Sequence, residues 1–208
     1  VPANASGHSR LISLVVEVAG LFETQAEVFV GDKVPGLIAV TAFPRKLLVI
    51  DRSLLDEPDA GLRFVLGYAF EAIRGGYATL LQVGARQRKE LAMVLRSLVA
   101  TDGELPNAVV DLVNSANDHA QEVLERHAGT RDVDPGSWAD GMLALAKRAG
   151  LLACDDFQAA IWMVGRLSGE QLGRHDATVA LGAVLGGPDL VRFYLSDDYQ
   201  HLRDVLTA

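Results

Sequence analysis

A polar segment near the middle of the chain, Asp118–His127, carries side chains that could bind a metal ion. Four of its residues are of types that bind metal ions in other proteins: His119, Glu122, Glu125 and His127. Helical spacing brings His119 and Glu122 together on one face. The sequence around them is strongly polar at successive turns, which is typical of a solvated helix face. We therefore interpret this segment as a surface helix rather than as a metal site.

Other residue types with possible chemistry are isolated in the sequence. Cys154 follows an apolar run with no histidine nearby, which indicates a buried, unreactive thiol. The glycines of Leu181–Asp189 lack the Lys-Ser/Thr of a phosphate loop, so they indicate a helix end before Pro188. Three further histidines have polar surroundings and are expected at the surface: His8, His175 and His201. The chain has no G-x-S-x-G segment, which weakens a serine-hydrolase interpretation.

A third segment, Leu62–Leu81, resembles an active-site helix without its reactive groups. A zinc peptidase carries H-E-x-x-H in such a helix, because two imidazoles one turn apart hold the metal and the glutamate activates water. The corresponding five residues here are Tyr68-Ala69-Phe70-Glu71-Ala72. Apolar residues surround more than one face of this helix, which predicts a central position in the fold.

The elements that must position these residues can be predicted from periodicity and from turn residues. Helical spacing predicts a first amphipathic helix over Ser9–Phe22. Three β-branched and aromatic runs predict a small sheet: Glu27–Val30, Leu37–Ala42 and Leu47–Ile50. Further helices are predicted over Ala60–Tyr77 (capped by Asp59), Val83–Thr101, Pro106–His127, Gly136–Ala153, Asp156–Ser168, Ala177–Leu185 and Asp189–Leu206. The expected fold class is α+β, mainly α, with the three-stranded sheet near the N-terminus.

Composition narrows the class of protein. The 208 residues, half of them hydrophobic, suit one domain over residues 1–208 with one continuous core. A net charge of -8 argues against nucleic acid or an anionic membrane as the main partner. The apolar run Leu11–Phe22 contains Glu17 and is too short to cross a bilayer. A single cysteine excludes an internal disulfide and favours a cytoplasmic location, and a start at Val-Pro-Ala-Asn suggests part of a longer protein.

The order of these elements and three motifs resemble the CAAX-prenyl-endopeptidase family of zinc metallopeptidases, which are gluzincins. The resemblance spans residues 20–168, and residues 169–208 form a helical extension. The family run I-x-V-T-x-G-L-L is matched by Leu48–Leu55, and the helix opening L-x-x-V-L-A/G by Leu62–Gly67. A later family motif, E-x-x-x-A-D-R-A or E-x-S-A-D-R-A-G, is matched by Leu143–Gly150.

The resemblance implies a metal site whose ligands have been replaced. Tyr68 and Ala72 occupy the positions of the two zinc-binding histidines, and Ala69 that of the general-base glutamate. Leu143 falls at the third ligand, and Lys147 replaces the aspartate that supports the metal shell. A catalytic zinc site needs three protein ligands and an open position for water. We therefore predict no bound metal, no cofactor and no zinc-peptidase activity.

A polar contact could replace the metal as the link between the two helices. Tyr68 and Ala72 share one face of their helix, and Leu143 and Lys147 share one face of theirs. If these faces meet, Glu71 or the Tyr68 hydroxyl could bind Lys147. In the alternative, Lys147 extends over apolar surface to reach solvent.

The predicted sheet offers a second possible function. Relatives in this family bind extended substrates along a sheet edge, and pairing of that kind requires no metal. The run Leu37–Phe43 could therefore bind an extended peptide without cleaving it. In the alternative, another part of a longer protein covers this edge.

Three functions remain open from the sequence. The leading hypothesis is a catalytically inactive metallopeptidase-like domain that acts in protein interaction, scaffolding or regulation, with a protein partner or other domains of a longer chain. The first alternative is an enzyme with metal-independent chemistry elsewhere in the same cleft, using acidic groups such as Glu71 with Lys147. The second is a plain helical structural module.

Overall fold

The computed structural model describes residues 7–42, 44–83, 134–169 and 186–207. The helices of these ranges are Ser9–Leu21 (α1), Asp59–Arg74 (α2), Pro135–Cys154 (α3), Phe157–Leu167 (α4), Gly187–Tyr194 (α5) and Asp197–Thr207 (α6). The strands are Glu27–Gly31 (β1), Ile38–Thr41 (β2) and Leu47–Asp51 (β3), and short 3₁₀ turns cover Pro35–Leu37, Arg52–Asp56 and Ala78–Leu81. The predicted class, α+β and mainly α with a small N-terminal sheet, is confirmed.

The chain divides into two compact units. One contains residues 1–82 and 142–208, and the other contains residues 83–141. In the second unit, the start of α3 is stabilised by Asp134, whose carboxylate accepts from the backbone N–H (3.2 Å) and the hydroxyl (2.7 Å) of Ser137. The expectation of one continuous domain stays a prediction. The helix crossing and the groove described below lie in the first unit.

The three strands form a mixed sheet in the order β1-β3-β2. β1 runs parallel to β3, with Val28 opposite Leu48, and β2 runs antiparallel to β3, with Val40 also opposite Leu48. Alternate side chains are buried, as expected for a sheet with one covered face: Val30, Ile38, Val40, Leu48 and Ile50. All three predicted strands are confirmed to within two residues at each end.

Helix α2 is the centre of this unit. Twelve of its sixteen residues are buried, and it packs against α1 and α4. A helix with apolar side chains around most of its circumference can bury them only when other elements surround it. The predicted cap at its start is wrong, because Pro58 occupies the capping position and Asp59 is the first helical residue. The Asp59 carboxylate instead accepts from Arg10 Nε of α1 at 2.5 Å.

A buried ion pair joins the entrance of α2 to helix α4. The Glu57 side chain is 5% exposed and accepts hydrogen bonds from Trp162 Nε1 (3.2 Å) and from the Arg166 guanidinium. Arg10 also donates to the Glu57 backbone carbonyl at 2.6 Å. One acidic residue therefore links α1, α2 and α4, although the sequence gives no motif for it.

The C-terminal tail differs from its prediction. The sequence predicted one helix over Asp189–Leu206, whereas the structure has two, α5 and α6, separated at Leu195 and Ser196. The Ser196 hydroxyl accepts from the Tyr199 backbone N–H at 3.2 Å and donates to the Phe193 carbonyl at 2.6 Å. It thus caps α6 and ends α5, because a serine side chain can satisfy an orphan amide of the first helical turn.

Several sequence predictions lie outside the described residues. They are the helix predicted over Val83–Thr101, of which only Val83 is described, the helices predicted over Pro106–His127 and Ala177–Leu185, together with His175, Phe43 and the candidate metal ligands His119, Glu122, Glu125 and His127. The remaining predicted helices correspond to α1, α2, α3 and α4 with small shifts of their ends.

Asp51 at the end of β3 provides a test of this fold by pH. Its carboxylate accepts from the Ser53 hydroxyl (2.7 Å), the Ser53 N–H (2.9 Å) and the Val34 N–H (2.7 Å). These hydrogen bonds, that of the Ser53 hydroxyl first, hold the pKa of Asp51 below its ordinary value. A lowered folded pKa stabilises the fold above the unfolded pKa near 3.8, and this contribution is lost as the pH falls through the folded value.

We expect Asp51→Asn to lower the free energy of unfolding by about 2 kcal/mol at pH 7, because an amide cannot accept the same three bonds as an anion. The difference from wild type should narrow below about pH 4, as the wild-type carboxylate itself takes up a proton. Urea unfolding at pH 7 and pH 3 measures both effects. The exposed Asp32, which pairs with Arg52 at 2.7 Å, is the matched control, and Asp32→Asn should change little. A difference that stayed constant with pH would contradict the prediction.

Candidate functional site

Helices α2 and α3 pack in close contact at two glycines. A Cβ atom placed on Gly67 of α2 would lie 2.6 Å from Ala153 Cβ and 2.8 Å from the Ala149 carbonyl oxygen of α3. A Cβ atom placed on Gly150 of α3 would lie 2.8 Å from the Phe64 carbonyl oxygen of α2. Such distances are far below ordinary van der Waals contact, so only glycine allows the two backbones to approach this closely. The crossing of the two helices is therefore packed core.

The α2 positions that the resemblance assigned to a metal site lie next to this crossing. Ala69 and Ala72 are fully buried, and Tyr68 is 9% exposed. The Tyr68 ring stacks on Phe64, with 6.2 Å between the ring centroids. These three positions follow Phe64 and Gly67, at which α2 contacts α3.

The α3 positions are placed differently. Leu143 is buried, and the Lys147 side chain extends toward Gly186, since a Cβ atom there would lie 2.8 Å from Lys147 Nζ. The structure brings α2 and α3 together at Gly67 and Gly150. Convergence of Leu143 with Tyr68 and Ala72 stays a prediction.

Glu71 is bound by Arg74, and a contact of Lys147 with Glu71 or with the Tyr68 hydroxyl stays a prediction. Both Glu71 oxygens accept from Arg74 of the same helix, at 2.8 Å from Nε and 3.0 Å from Nη2. Arg74 lies one turn further along α2, so it reaches back to the carboxylate without crossing to another helix. This hydrogen bond is the main reason that the pKa of Arg74 is raised. Glu71 is 3% exposed, so its negative charge is buried, and the Arg74 guanidinium compensates that charge.

An apolar groove opens one turn beyond the helix crossing and is the strongest candidate for a binding site. It has a volume of about 660 Å³ and begins at Glu71 and Ala149. Its walls come from the ends of α1 and α2 and from α3, α5 and α6. The apolar lining residues are Leu21, Phe22, Leu145, Ala149, Leu152, Phe193, Leu202, Val205 and Leu206. Three of them are unusually exposed for their type: Leu145 (40%), Leu202 (40%) and Val205 (60%).

Charged residues surround this groove. Arg148 donates to Asp189 at 3.1 and 2.6 Å, and its guanidinium lies 5.2 Å from the centre of the Phe193 ring. Glu23 and Asp198 also line the groove, and neither forms an ion pair within the described part of the chain. An apolar floor with charged residues around it is the usual composition of a surface that binds another protein.

Helix α6, which forms one wall of the groove, is anchored through Tyr199. This side chain is 1% exposed, and its hydroxyl donates to Asp155 Oδ1 at 2.9 Å in the connection between α3 and α4. Arg203 of α6 pairs with the same carboxylate. Burial raises the pKa of Tyr199 to about 12, so it remains a hydrogen-bond donor at neutral pH. The wall is thus held by buried and charged contacts at one side, while Leu202 and Val205 remain accessible.

The predicted peptide-binding edge, Leu37–Phe43, is partly occupied. β2 does lie at an end of the strand order. The side-chain amide of Gln82, however, donates to the Val40 carbonyl of this strand. A peptide that paired along this side would have to displace Gln82 from that acceptor. The edge is therefore a weaker candidate than the groove.

The described residues also bear on the predictions about the cysteine, metal binding and membrane spans. Cys154 is buried, as predicted, and burial raises the pKa of its thiol to about 12, so little reactive thiolate forms at neutral pH. Within the four described ranges, no three His, Cys, Asp or Glu side chains are grouped closely enough to hold a metal ion. In the same ranges, no helix combines the length and the apolar composition that crossing a membrane requires.

The groove itself was missed at the level of sequence, although two signals point to it. Leu145, Ala149 and Leu152 recur at helical spacing on α3, and Leu202 and Leu206 do so on α6. Such patterns indicate an apolar face, but they do not distinguish a face buried in the core from one left open.

Comparisons of the chain with family models, with curated proteins and with solved structures find no match. The resemblance to gluzincins therefore stays a prediction from its motifs.

Proposed function

We propose that the chain is a non-catalytic protein-interaction domain, built on a metallopeptidase-like helix pair and acting as a scaffold or regulatory part of a larger assembly. The apolar groove carries this proposal, because Leu145, Leu202 and Val205 expose apolar surface at a groove that charged residues also line. Leaving such side chains in water costs free energy that a bound partner would recover.

The packing of α2 against α3 supports the non-catalytic part of the proposal. Gly67 and Gly150 bring the two backbones into contact at the point where the resemblance would place one side of a catalytic cleft. Among the acids that line the groove, Glu71 has both oxygens bound by Arg74. A general base must instead have an oxygen within reach of the proton that it removes.

A cytoplasmic location forms part of the proposal. It rests on the single cysteine, which is buried and free, since reducing compartments favour free thiols.

The proposal predicts that Leu202→Glu abolishes partner capture. A carboxylate in the groove would have to lose its hydration when the partner binds, and we expect at least a tenfold loss of binding, about 1.4 kcal/mol. Immobilised wild type and variant would be compared by quantitative mass spectrometry of the proteins that each retains from extract of the source cells. Leu195→Glu is the matched control, since Leu195 is 76% exposed and does not line the groove. Circular dichroism checks that both variants fold.

The enzymatic alternative is tested on the same preparations. We expect less than stoichiometric zinc by elemental analysis and no turnover of casein. Stoichiometric zinc, or casein turnover that a Glu71→Gln variant removes, would overturn the non-catalytic proposal. If wild type and Leu202→Glu retain the same proteins in equal amounts, the groove is not the binding surface.

A further inference from the structure

We propose that the occupant of the groove is an amphipathic α-helix of a partner protein, with apolar residues on one face and Lys or Arg beside them. This inference rests on the proposed function, since it names the class of partner for the same groove. Three properties of the lining residues support it: the secondary structure of the walls, the spacing of their apolar side chains and the balance of charge around them.

The walls of the groove favour a helix over an extended segment. They are formed by helices α1, α2, α3, α5 and α6 and by the turn that follows α1. In that turn, the backbone N–H groups of Phe22 and Glu23 donate to Val18 and Gly20 of α1. Within the wall helices, the backbone N–H and C=O groups are likewise hydrogen-bonded to each other. An extended peptide would therefore bury N–H and C=O groups without partners, whereas a helix satisfies its own.

The apolar side chains of two walls are spaced as helix–helix packing requires. On α3, Leu145, Ala149 and Leu152 lie at i, i+4 and i+7. On α6, Leu202 and Leu206 lie at i and i+4. Rows of this spacing form ridges, and the ridges of a third helix can pack into the groove between them. A partner helix would present residues at i, i+3 or i+4, and i+7 to fill it.

The charges around the groove favour a basic partner. Its two arginines are already paired, Arg74 with Glu71 and Arg148 with Asp189. Glu23 and Asp198 line the same groove, and neither forms an ion pair with another described residue. These two carboxylates, of which Glu23 lies near enough to Arg74 to help raise the pKa of that arginine, attract Lys or Arg and repel acidic sequences, an effect that acts mainly on specificity and association rate. The net charge of -8 acts in the same direction.

The test is a selection of binders from a displayed library of random 16-residue peptides on the immobilised full chain. We expect the enriched peptides to carry Leu, Ile, Met or Phe at i, i+3 or i+4, and i+7, with Lys or Arg between them. Synthetic copies labelled with fluorescein should bind the wild type by anisotropy and become helical on binding by circular dichroism. Proline at the centre of such a peptide should weaken binding at least tenfold.

Variants of the chain separate the possible failures. Leu202→Glu should weaken binding of the selected peptides at least tenfold and Leu195→Glu should not, while Glu23→Lys with Asp198→Lys should reduce the preference for basic peptides. If the peptides depend on Leu202 but are extended or acidic, the helical basic partner is wrong and the interaction groove stands. If no selected peptide depends on Leu202, both proposals fail at this surface. Self-association in sedimentation velocity that Leu202→Glu abolishes would identify a second copy as the occupant and overturn the inference.

Discussion

Replacing Gly67 by valine is expected to lower the free energy of unfolding by about 3 kcal/mol, because the new side chain has no space between α2 and α3. Its Cβ alone would lie 2.6 Å from Ala153 Cβ and 2.8 Å from the Ala149 carbonyl oxygen. The second contact is with backbone, so relief requires the two helices to move apart. Because interiors are close-packed, that movement would also disturb the buried surfaces of Phe64 and Tyr68. Urea unfolding monitored by circular dichroism measures the loss.

Gly141→Ala is the matched control for this substitution. Gly141 also lies within a helix, α3, but a Cβ atom there meets nothing within 4 Å. Alanine is a better helix former than glycine, so this variant should be more stable than wild type by up to about 1 kcal/mol. Adding Ala153→Gly to Gly67→Val should restore part of the loss, because it removes one of the two close contacts. Equal effects at Gly67 and Gly141 would contradict close packing at the crossing.

The sequence predicted α2 as the central helix but did not predict what makes it central. Its apolar residues surround more than one face, and that pattern suffices to place it in the interior. Gly67 and Gly150 gave no such signal, because a glycine within a helical pattern indicates only a cost in helix stability until the facing backbone is known. The close approach depends on the pairing of two helices some eighty residues apart in the chain, which periodicity does not contain.

In the C-terminal tail, by contrast, the sequence does contain a local signal for the break between α5 and α6. Ser196 is followed by Asp197 and Asp198, and a serine before two acidic residues is typical of a helix start. The structure favours the cap, and the resulting turn directs α6 along one wall of the groove.

The candidate site likewise has features that the sequence predicts and features that depend on how helices pack. The sequence located Tyr68, Ala69 and Ala72 correctly on the buried helix, because burial follows from periodicity. The bond between Glu71 and Arg74 needs only the next turn of the same helix, whereas a contact with Lys147 requires two helices at a specific rotation and stays a prediction. A neighbour within one helix is always available, so it should be considered first when a buried charge needs a partner.

Arg166→Met is expected to lower the free energy of unfolding by about 3 to 5 kcal/mol, because it removes the Arg166 guanidinium from the buried Glu57 carboxylate. The Glu57 side chain is 5% exposed, and Trp162 Nε1 would remain among its hydrogen-bond donors. A neutral donor does not replace the charge of the guanidinium. Thermal and urea unfolding at pH 7 measure the effect, and Arg192→Met on α5 controls for loss of an arginine, since Arg192 forms no ion pair with a described residue.

A double substitution distinguishes loss of the pair from loss of packing by the arginine stem. Glu57→Gln removes the charge that Arg166 compensates, so Glu57→Gln with Arg166→Met should be more stable than Arg166→Met alone. If packing of the arginine stem dominated, the second substitution would only add to the loss. The Glu57–Arg166 pair joins the entrance of α2 to α4, and neither residue lines the groove. Peptide binding at the groove should therefore survive in the folded fraction of each variant, which separates the stability of the fold from the proposed binding function.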